Sequence, residues 1–290
     1  MRKVLILGGA GMLGHKVLQV LAARFDVRAT FRSNADERLI ARSRASTGVD
    51  AMQFETVERA FRETRPDVVV NCIGIVKQLA EGHDPIRSIT VNSLFPHRVA
   101  AVCAEFGARV IHISTDCVFS GRKGMYRETD FPDAEDLYGR SKLLGEVARE
   151  NALTLRTSII GREVRATTGL VEWFLSNRGG EVKGFSEAIF SGLTTRALAS
   201  LIGDLIEKEA PLHGLYQVSS EPINKYDLLS LLNDAFGADV MIRRSTELRI
   251  DRSLDSTRFR EAAGWQPATW PDMVAALAHD PTPYELWRHS

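Results

Sequence analysis

Residues 4–25 read VLILGGAGMLGHKVLQVLAARF. The apolar run Val4–Leu7 is short, unbroken and closed by Gly8, as expected of a strand covered on both faces. Beyond it Leu13, Val17, Leu18 and Leu21 recur at helical spacing, so the stretch reads as strand, turn, helix. Gly8, Gly11 and Gly14 give GxxGxxG, and from Gly9 the same letters also satisfy GxGxxG. A glycine cluster by itself also marks an ordinary tight turn. At a first βα turn it lets backbone approach a pyrophosphate at the helix N-terminus.

The alternation continues outward. VRATF (27–31) reads as a strand, TVERAFRET (56–64) as a helix and DVVVNCIG (67–74) as a buried strand ending in a turn. A helix over roughly 90–106, the strand ARVIHIS (108–114), a helix around 136–150 and the strand LTLRT (153–157) follow. This predicts an α/β protein with a Rossmann-type, doubly wound parallel sheet covered by helices on both faces. After residue 157 the rhythm changes through GREVRATTG and NRGGEVKGF, and helical patterning returns at 194–209 and 225–236. The expected division is a dinucleotide-binding unit over 1–157, completed by about 188–210. A smaller α+β substrate-binding unit then takes 158–187 and 211–290. The closing PTPYELWRHS reads either as a tail or as a packed extension.

The 290 residues carry 37 basic and 37 acidic groups with 44% hydrophobic residues. Zero net charge removes the usual signature of a nucleic-acid or acidic-membrane partner. Cys72, Cys103 and Cys117 are odd in number and lack CxxC spacing, which predicts reduced thiols in the cytosol. The N-terminal apolar run is broken by glycines too early for a secretion signal, and no later run reaches the length of a membrane span. The seven histidines show no metal-ligand spacing, so no metal is expected, and His112 in an apolar strand reads as a core residue.

For an adenosine ribose, an acidic residue is expected about 20 residues after the glycines when the ligand is NAD. Arg32 stands there instead, 18 residues beyond Gly14, with no carboxylate until Asp36. A guanidinium pairs with the 2′-phosphate of NADP, so NADPH is the expected cofactor, with NADH left open. Tyr138 and Lys142 lie four apart in helical patterning and share a face. Carbonyl reduction needs a proton donor, and a neighbouring cation makes a phenol a better one. Ser114-Thr115-Asp116 closes a strand at the sheet edge where doubly wound folds keep ligands. A hydroxyl there can share the substrate oxygen, or else only close a local turn.

Taken together, GGAGMLG, PDVVVNCIG, the helix bearing Asn92, ISTDCVFSG, YRETDFPDAEDLYGRSK and the later VSS resemble the extended short-chain dehydrogenase/reductase superfamily. Within it the chain is most similar to dTDP-4-dehydrorhamnose reductases, over nearly its whole length. The resemblance implies Thr115, Tyr138 and Lys142 as the catalytic set. It places Gly8, Gly11, Met12, Leu13, Gly14, Asp50, Ala51, Cys72, Ile73 and Gly74 around the cofactor, with Asn92 supporting Lys142. It implies reduction of the C4 keto group of a nucleotide-linked 4-keto-6-deoxy sugar, with Ser114, Thr115 and Asp116 near the substrate. A homodimer is also implied.

Three departures bear on the substrate. The related 4,6-dehydratases follow the threonine with Asp-Glu; Thr115-Asp116-Cys117 lacks that glutamate, which argues against dehydration. Where such reductases usually carry a tryptophan against the sugar, RTSII places Ile159. Their glycine-x-proline-threonine motif is here Gly192-Leu193-Thr194-Thr195. Arg252, in DRSL, is placed either at a substrate phosphate or in a helix cap. Arg162 and Arg165 are weaker phosphate candidates, and Trp173 and Phe174 read as core. A sugar-nucleotide epimerase and a non-catalytic NADP-binding regulatory subunit are the alternatives.

Overall fold

The computed structural model describes residues 1–78, 80–165, 167–208 and 212–288. Six strands alternate with helices through the first half: β1 (Lys3–Leu7), α1 (Gly14–Leu21), β2 (Asp26–Phe31), β3 (Ala45–Thr47), α2 (Phe54–Thr64) and β4 (Val68–Asn71). Next come α3 (Pro85–Ser88), a π-helical stretch at Ile89–Leu94, α4 (Phe95–Glu105), β5 (Arg109–Thr115), α5 (Leu137–Leu144) and β6 (Ala152–Thr157). The second half holds β7 (Ile159–Ile160), α6 (Leu170–Leu175), β8 (Glu181–Phe190), β9 (Leu193–Thr194) and α7 (Thr195–Glu207). It continues with β10 (Gly214–Gln217), β11 (Ile223–Asn224), α8 (Lys225–Phe236), β12 (Met241–Asp251), α9 (Thr257–Ala263), α10 (Trp270–Ala278) and α11 (Tyr284–Arg288).

The main sheet is seven-stranded, in the order β10-β6-β5-β4-β1-β2-β3, and every pairing in it is parallel. The order reverses between β1 and β4, which opens a crevice at the carboxyl ends of those strands. Alternation within β1 shows why its apolar run is continuous. Val4 and Ile6 join the core beneath α1 and α7, while Leu5 and Leu7 join the core beneath α2 and α4. Each such side chain contributes about 1.5–3 kcal/mol by leaving water, so a single polar residue in this run would cost one face its packing. The seventh strand, Gly214–Gln217, comes from a segment that the sequence reading places in the second unit.

A second sheet, β11-β8-β12, carries β12 parallel and β11 antiparallel to β8. The stretch NRGGEVKGF, read as glycine-rich and charged, therefore contains the start of a long strand. Its neighbour β12 is largely exposed and is held by its ladder and by ion pairs such as Arg243–Glu181 (2.6 Å) and Lys183–Glu247 (2.8 Å). Helix α5 is shorter than expected, ending at Leu144 before Gly145. Residues 281–288 pack against the body of the protein, with Tyr284 1% exposed, which resolves the choice between tail and packed extension. Among the described residues no helix is long and apolar enough to cross a membrane.

Candidate active site

The crevice opens into a cleft of about 970 Å³ between the glycine loop and the second sheet. On the loop side, Gly8 takes φ +86°, and its N–H donates to Thr30 Oγ1 (3.1 Å). A β-carbon on Gly14 would stand 2.0 Å from the Gly8 carbonyl oxygen; only glycine lets α1 start this close to β1. Helix α1 has neither a side-chain cap nor an acidic residue in its first turn. Its terminal N–H groups and positive dipole end thus face the cleft without a resident carboxylate, as a bound phosphate requires.

The opposite wall is built by β5 and α5. Asp136 caps α5 by accepting from Gly139 N (2.6 Å), so Tyr138 and Lys142 fall in its first two turns. A β-carbon on Gly139 would lie 2.3 Å from the Cys117 carbonyl oxygen. This close approach sets the start of α5 directly against the end of β5 and brings Tyr138 beside Thr115. The Thr115 hydroxyl accepts from Cys117 N (3.1 Å) and donates to Asp116 Oδ1 (3.2 Å), so the local turn and the placement at the cleft coexist. Lys142 Nζ donates to the Ile113 carbonyl (2.7 Å).

Burial dominates the electrostatics. It pushes the Lys142 ammonium down to about 8, with the Glu146 carboxylate opposing. It raises the Tyr138 phenol above its ordinary value, with the Thr115 hydroxyl working the other way. Asp116 is raised by burial against the pull of Arg252, and the Cys117 thiol is pushed up to about 12. His112 donates nothing to the cleft: its Nδ1 meets the Asn71 amide (3.1 Å) and burial holds it neutral, well below its ordinary value.

Gly11, Met12, Leu13, Cys72, Ile73, Gly74, Ser114, Thr115, Asp116, Tyr138, Lys142, Ile159 and Arg252 all line the cleft. Gly8 and Gly14 sit just behind it in the loop, while Arg32, Asp50 and Ala51 lie away from its lining, in the loops after β2 and β3. Asn92, in the π-helical stretch, clamps Ile75 through both its amide groups (2.9 Å each) and donates to Ser141 Oγ (3.2 Å). It fixes the loop after β4 rather than hydrogen-bonding Lys142. The Ser114 hydroxyl is turned to Glu146 (2.7 Å), whose carboxylate also takes Arg156 Nε (2.9 Å) and Nη2 (2.6 Å). Arg252 does not cap α9; it donates to the Phe119 carbonyl (2.9 Å) and lies 3.8 Å from Cys117 Sγ.

Arg162 is withdrawn into a buried pair with Glu172 (2.7 Å), while Arg165 lines the cleft. Phe174 is core, but Trp173, 41% exposed, lines the cleft, a correction to its reading as core. Lys77 and Lys225 also reach the cleft and drew no attention in sequence, because single lysines carry no spacing signal. Lys225 packs its ammonium 4.1 Å from the Phe190 ring centre, and burial lowers its pKa against the pull of Asp116. Among the described residues no group of three or more His, Cys, Asp or Glu could hold a metal ion.

A family model, the RmlD substrate binding domain, matches residues 1–278. The chain belongs to the RmlD substrate binding domain family. The resemblance to dTDP-4-dehydrorhamnose reductases is borne out at that level. Among similar proteins, the probable low-salt glycan biosynthesis reductase Agl14 of Haloferax volcanii is 29% identical over 249 residues, covering 79% of this chain and 82% of that protein. The crystal structure of a hypothetical dTDP-4-dehydrorhamnose reductase from Sulfolobus tokodaii matches with a TM-score of 0.76 at 27% identity, covering 90% and 94% of the two chains. At 20% identity, a dTDP-4-dehydrorhamnose reductase of Bacillus anthracis in complex with NADP has the same fold, with a TM-score of 0.78 over 95% and 98%.

Proposed function

We propose that the protein is an NADPH-dependent reductase of the C4 keto group of a nucleotide-linked 4-keto-6-deoxy sugar. The observation that carries this reading is the convergence of Thr115, Tyr138 and Lys142 on one wall of a cleft whose facing wall is the glycine loop. The bare N-terminus of α1 and the Gly8–Gly14 contact fit a dinucleotide pyrophosphate. Arg32 is exposed at the end of β2 and has no ion pair among the described residues, whereas the neighbouring Asp36 is engaged by Arg38 Nε (2.8 Å). That leaves the Arg32 cation at the end of β2, where an NAD site would carry a carboxylate, and this favours NADPH over NADH. In this reading the unit of the seven-stranded sheet, including β10 from the later segment, holds the cofactor, and the unit of the second sheet holds the sugar.

When bound, the nicotinamide supplies the hydride to C4. Tyr138 holds its proton well past neutral pH and transfers it to the C4 oxygen, which becomes the product hydroxyl; the phenolate left behind is reprotonated from solvent. The Thr115 hydroxyl, which donates to Asp116 Oδ1 in the structure, turns to donate to the same oxygen once the substrate is bound. The Lys142 ammonium, fixed on the Ile113 carbonyl, favours the phenolate and holds the nicotinamide ribose. Lys77, Lys225 and Arg252 are available to the substrate diphosphate, and Ile159 and Asp116 to the sugar. The test is absorbance of NADPH, and separately NADH, with a dTDP-4-keto-6-deoxyhexose generated in situ together with its 3,5-epimerised form. Net loss of NADPH with formation of the 4-hydroxy sugar is expected. Cofactor that stays bound with no net loss would point to an epimerase or a binding subunit instead.

A further inference from the structure

Residues 279–288 lie beyond the 1–278 that the family model matches, yet they hold two loops that line the cleft, the glycine loop and the loop over 162–169. Tyr284 is 1% exposed, and its ring stands edge-on to His15 at 5.7 Å and 83°. The fully buried His15 has Nδ1 2.9 Å from the Gly11 carbonyl oxygen and Nε2 3.0 Å from the Tyr284 hydroxyl. A carbonyl only accepts, so Nδ1 carries the proton. Burial holds the imidazole neutral, with its pKa down to about 4; Nε2 is therefore an acceptor and Tyr284 donates to it. The Gly11 carbonyl, in the middle of the glycine loop, is thus fixed through one ring by the far end of the chain. Flanking contacts make the attachment firm: Lys16 pairs with Asp280, and Gln19 donates to Thr282 Oγ1 (3.1 Å).

On the other side, Glu285 accepts from Arg162 Nη2 (2.5 Å). Arg288 donates to the Glu163 carbonyl (2.6 and 3.1 Å) and pairs with Glu172 (2.5 Å). Glu163 lines the cleft and its carboxylate accepts from Gly169 N (2.7 Å), itself in the lining. The same ten residues therefore tie the glycine loop to the 162–169 loop, whose Gly169 lies beside Met12.

We propose that residues 280–288 form a tether that sets cofactor affinity, with Tyr284 the positioning residue for the glycine loop and Glu285 and Arg288 holding the 162–169 loop. This rests on the reading of the glycine loop as the dinucleotide site. A positioning role is separable from a stabilising one, because a merely structural residue lowers the unfolding midpoint without altering the affinity of the folded protein.

The test is fluorescence titration of NADPH into the 290-residue protein and its Tyr284→Phe and Arg288→Gln variants, with thermal midpoints measured in parallel. Leu277→Ala, in the buried face of α10 and outside the cleft, is the control for stability alone. Tyr284→Phe is expected to raise the NADPH Kd about tenfold, the effect of one lost hydrogen bond. Turnover at saturating cofactor should change by less than about twofold, and Arg288→Gln should also raise the Kd. Leu277→Ala should lower the midpoint and leave the Kd unchanged. Unchanged Kd in both tether variants, or a rise in Kd that simply follows the midpoint across all three, would overturn the tether. Failure of the unaltered protein to bind NADPH or NADH would overturn the dinucleotide-site reading itself, and the tether with it.

Discussion

Replacing Glu146 with glutamine keeps the side chain's shape and removes its charge. Arg156 is 1% exposed and spends Nε and Nη2 on Glu146, while its Nη1 is buried with no partner. Without the carboxylate that guanidinium becomes an uncompensated buried cation, a change that costs about 3–5 kcal/mol. At about 2–4 °C per kcal/mol for a protein of this size, the lower figure corresponds to a fall of about 6–12 °C in the unfolding midpoint. Because Glu146 is the charge opposing burial at Lys142, the same variant should also move the Lys142 pKa below about 8. Lys142 is charged below its pKa, so the alkaline fall of turnover should shift to lower pH. The assay pairs calorimetry with a pH profile of NADPH oxidation, and adds Arg156→Met together with Glu146→Leu as a double variant that removes both charges. A midpoint within about 2 °C of the parent in Glu146→Gln would refute the argument, as would a double variant that is less stable than either single one.

Arg32→Ala should weaken NADPH binding about 10- to 100-fold, the range for a lost charge-assisted pair, and leave NADH nearly unaffected; equal losses for both cofactors in parallel titrations would remove Arg32 from the 2′-phosphate. Gly14→Ala should abolish binding of either cofactor while the protein still folds, because its β-carbon would meet the Gly8 carbonyl; binding measured by titration together with far-UV circular dichroism checks this. Acid should destabilise the protein: His15 has its folded pKa lowered to about 4, so the unfolded chain takes up its proton first. This contribution is complete above about pH 6.5 and is lost as pH falls toward 4, costing about 3 kcal/mol. Denaturant midpoints at pH 7 and pH 4.5 measure it, and His15→Phe should reduce the difference.

The first half of the fold was legible because two-sided burial writes itself as unbroken apolar runs: Val4–Leu7 and Val68–Val70 feed separate cores on alternate residues. Strands β8 and β12 were not legible, since EVKGFSEAIF and MIRRSTELRID place charges on solvent-facing positions and depend on pairing across about 60 residues. Tyr138 and Lys142 could be found because one helix holds both at fixed spacing. Lys77, Lys225 and Trp173 could not, because only tertiary packing brings them to the cleft. The Tyr284–His15–Gly11 chain was likewise invisible, joining residues 269 positions apart.

The central claim is that Tyr138 gives its proton to a substrate keto oxygen in this cleft. Turnover of NADPH with the 4-keto-6-deoxy sugar nucleotide should fall by at least about a hundredfold in Tyr138→Phe, the scale of a lost general acid, with the NADPH Kd within about threefold of the parent. Parental turnover in that variant, under conditions where the parent itself reduces the sugar, would contradict the account.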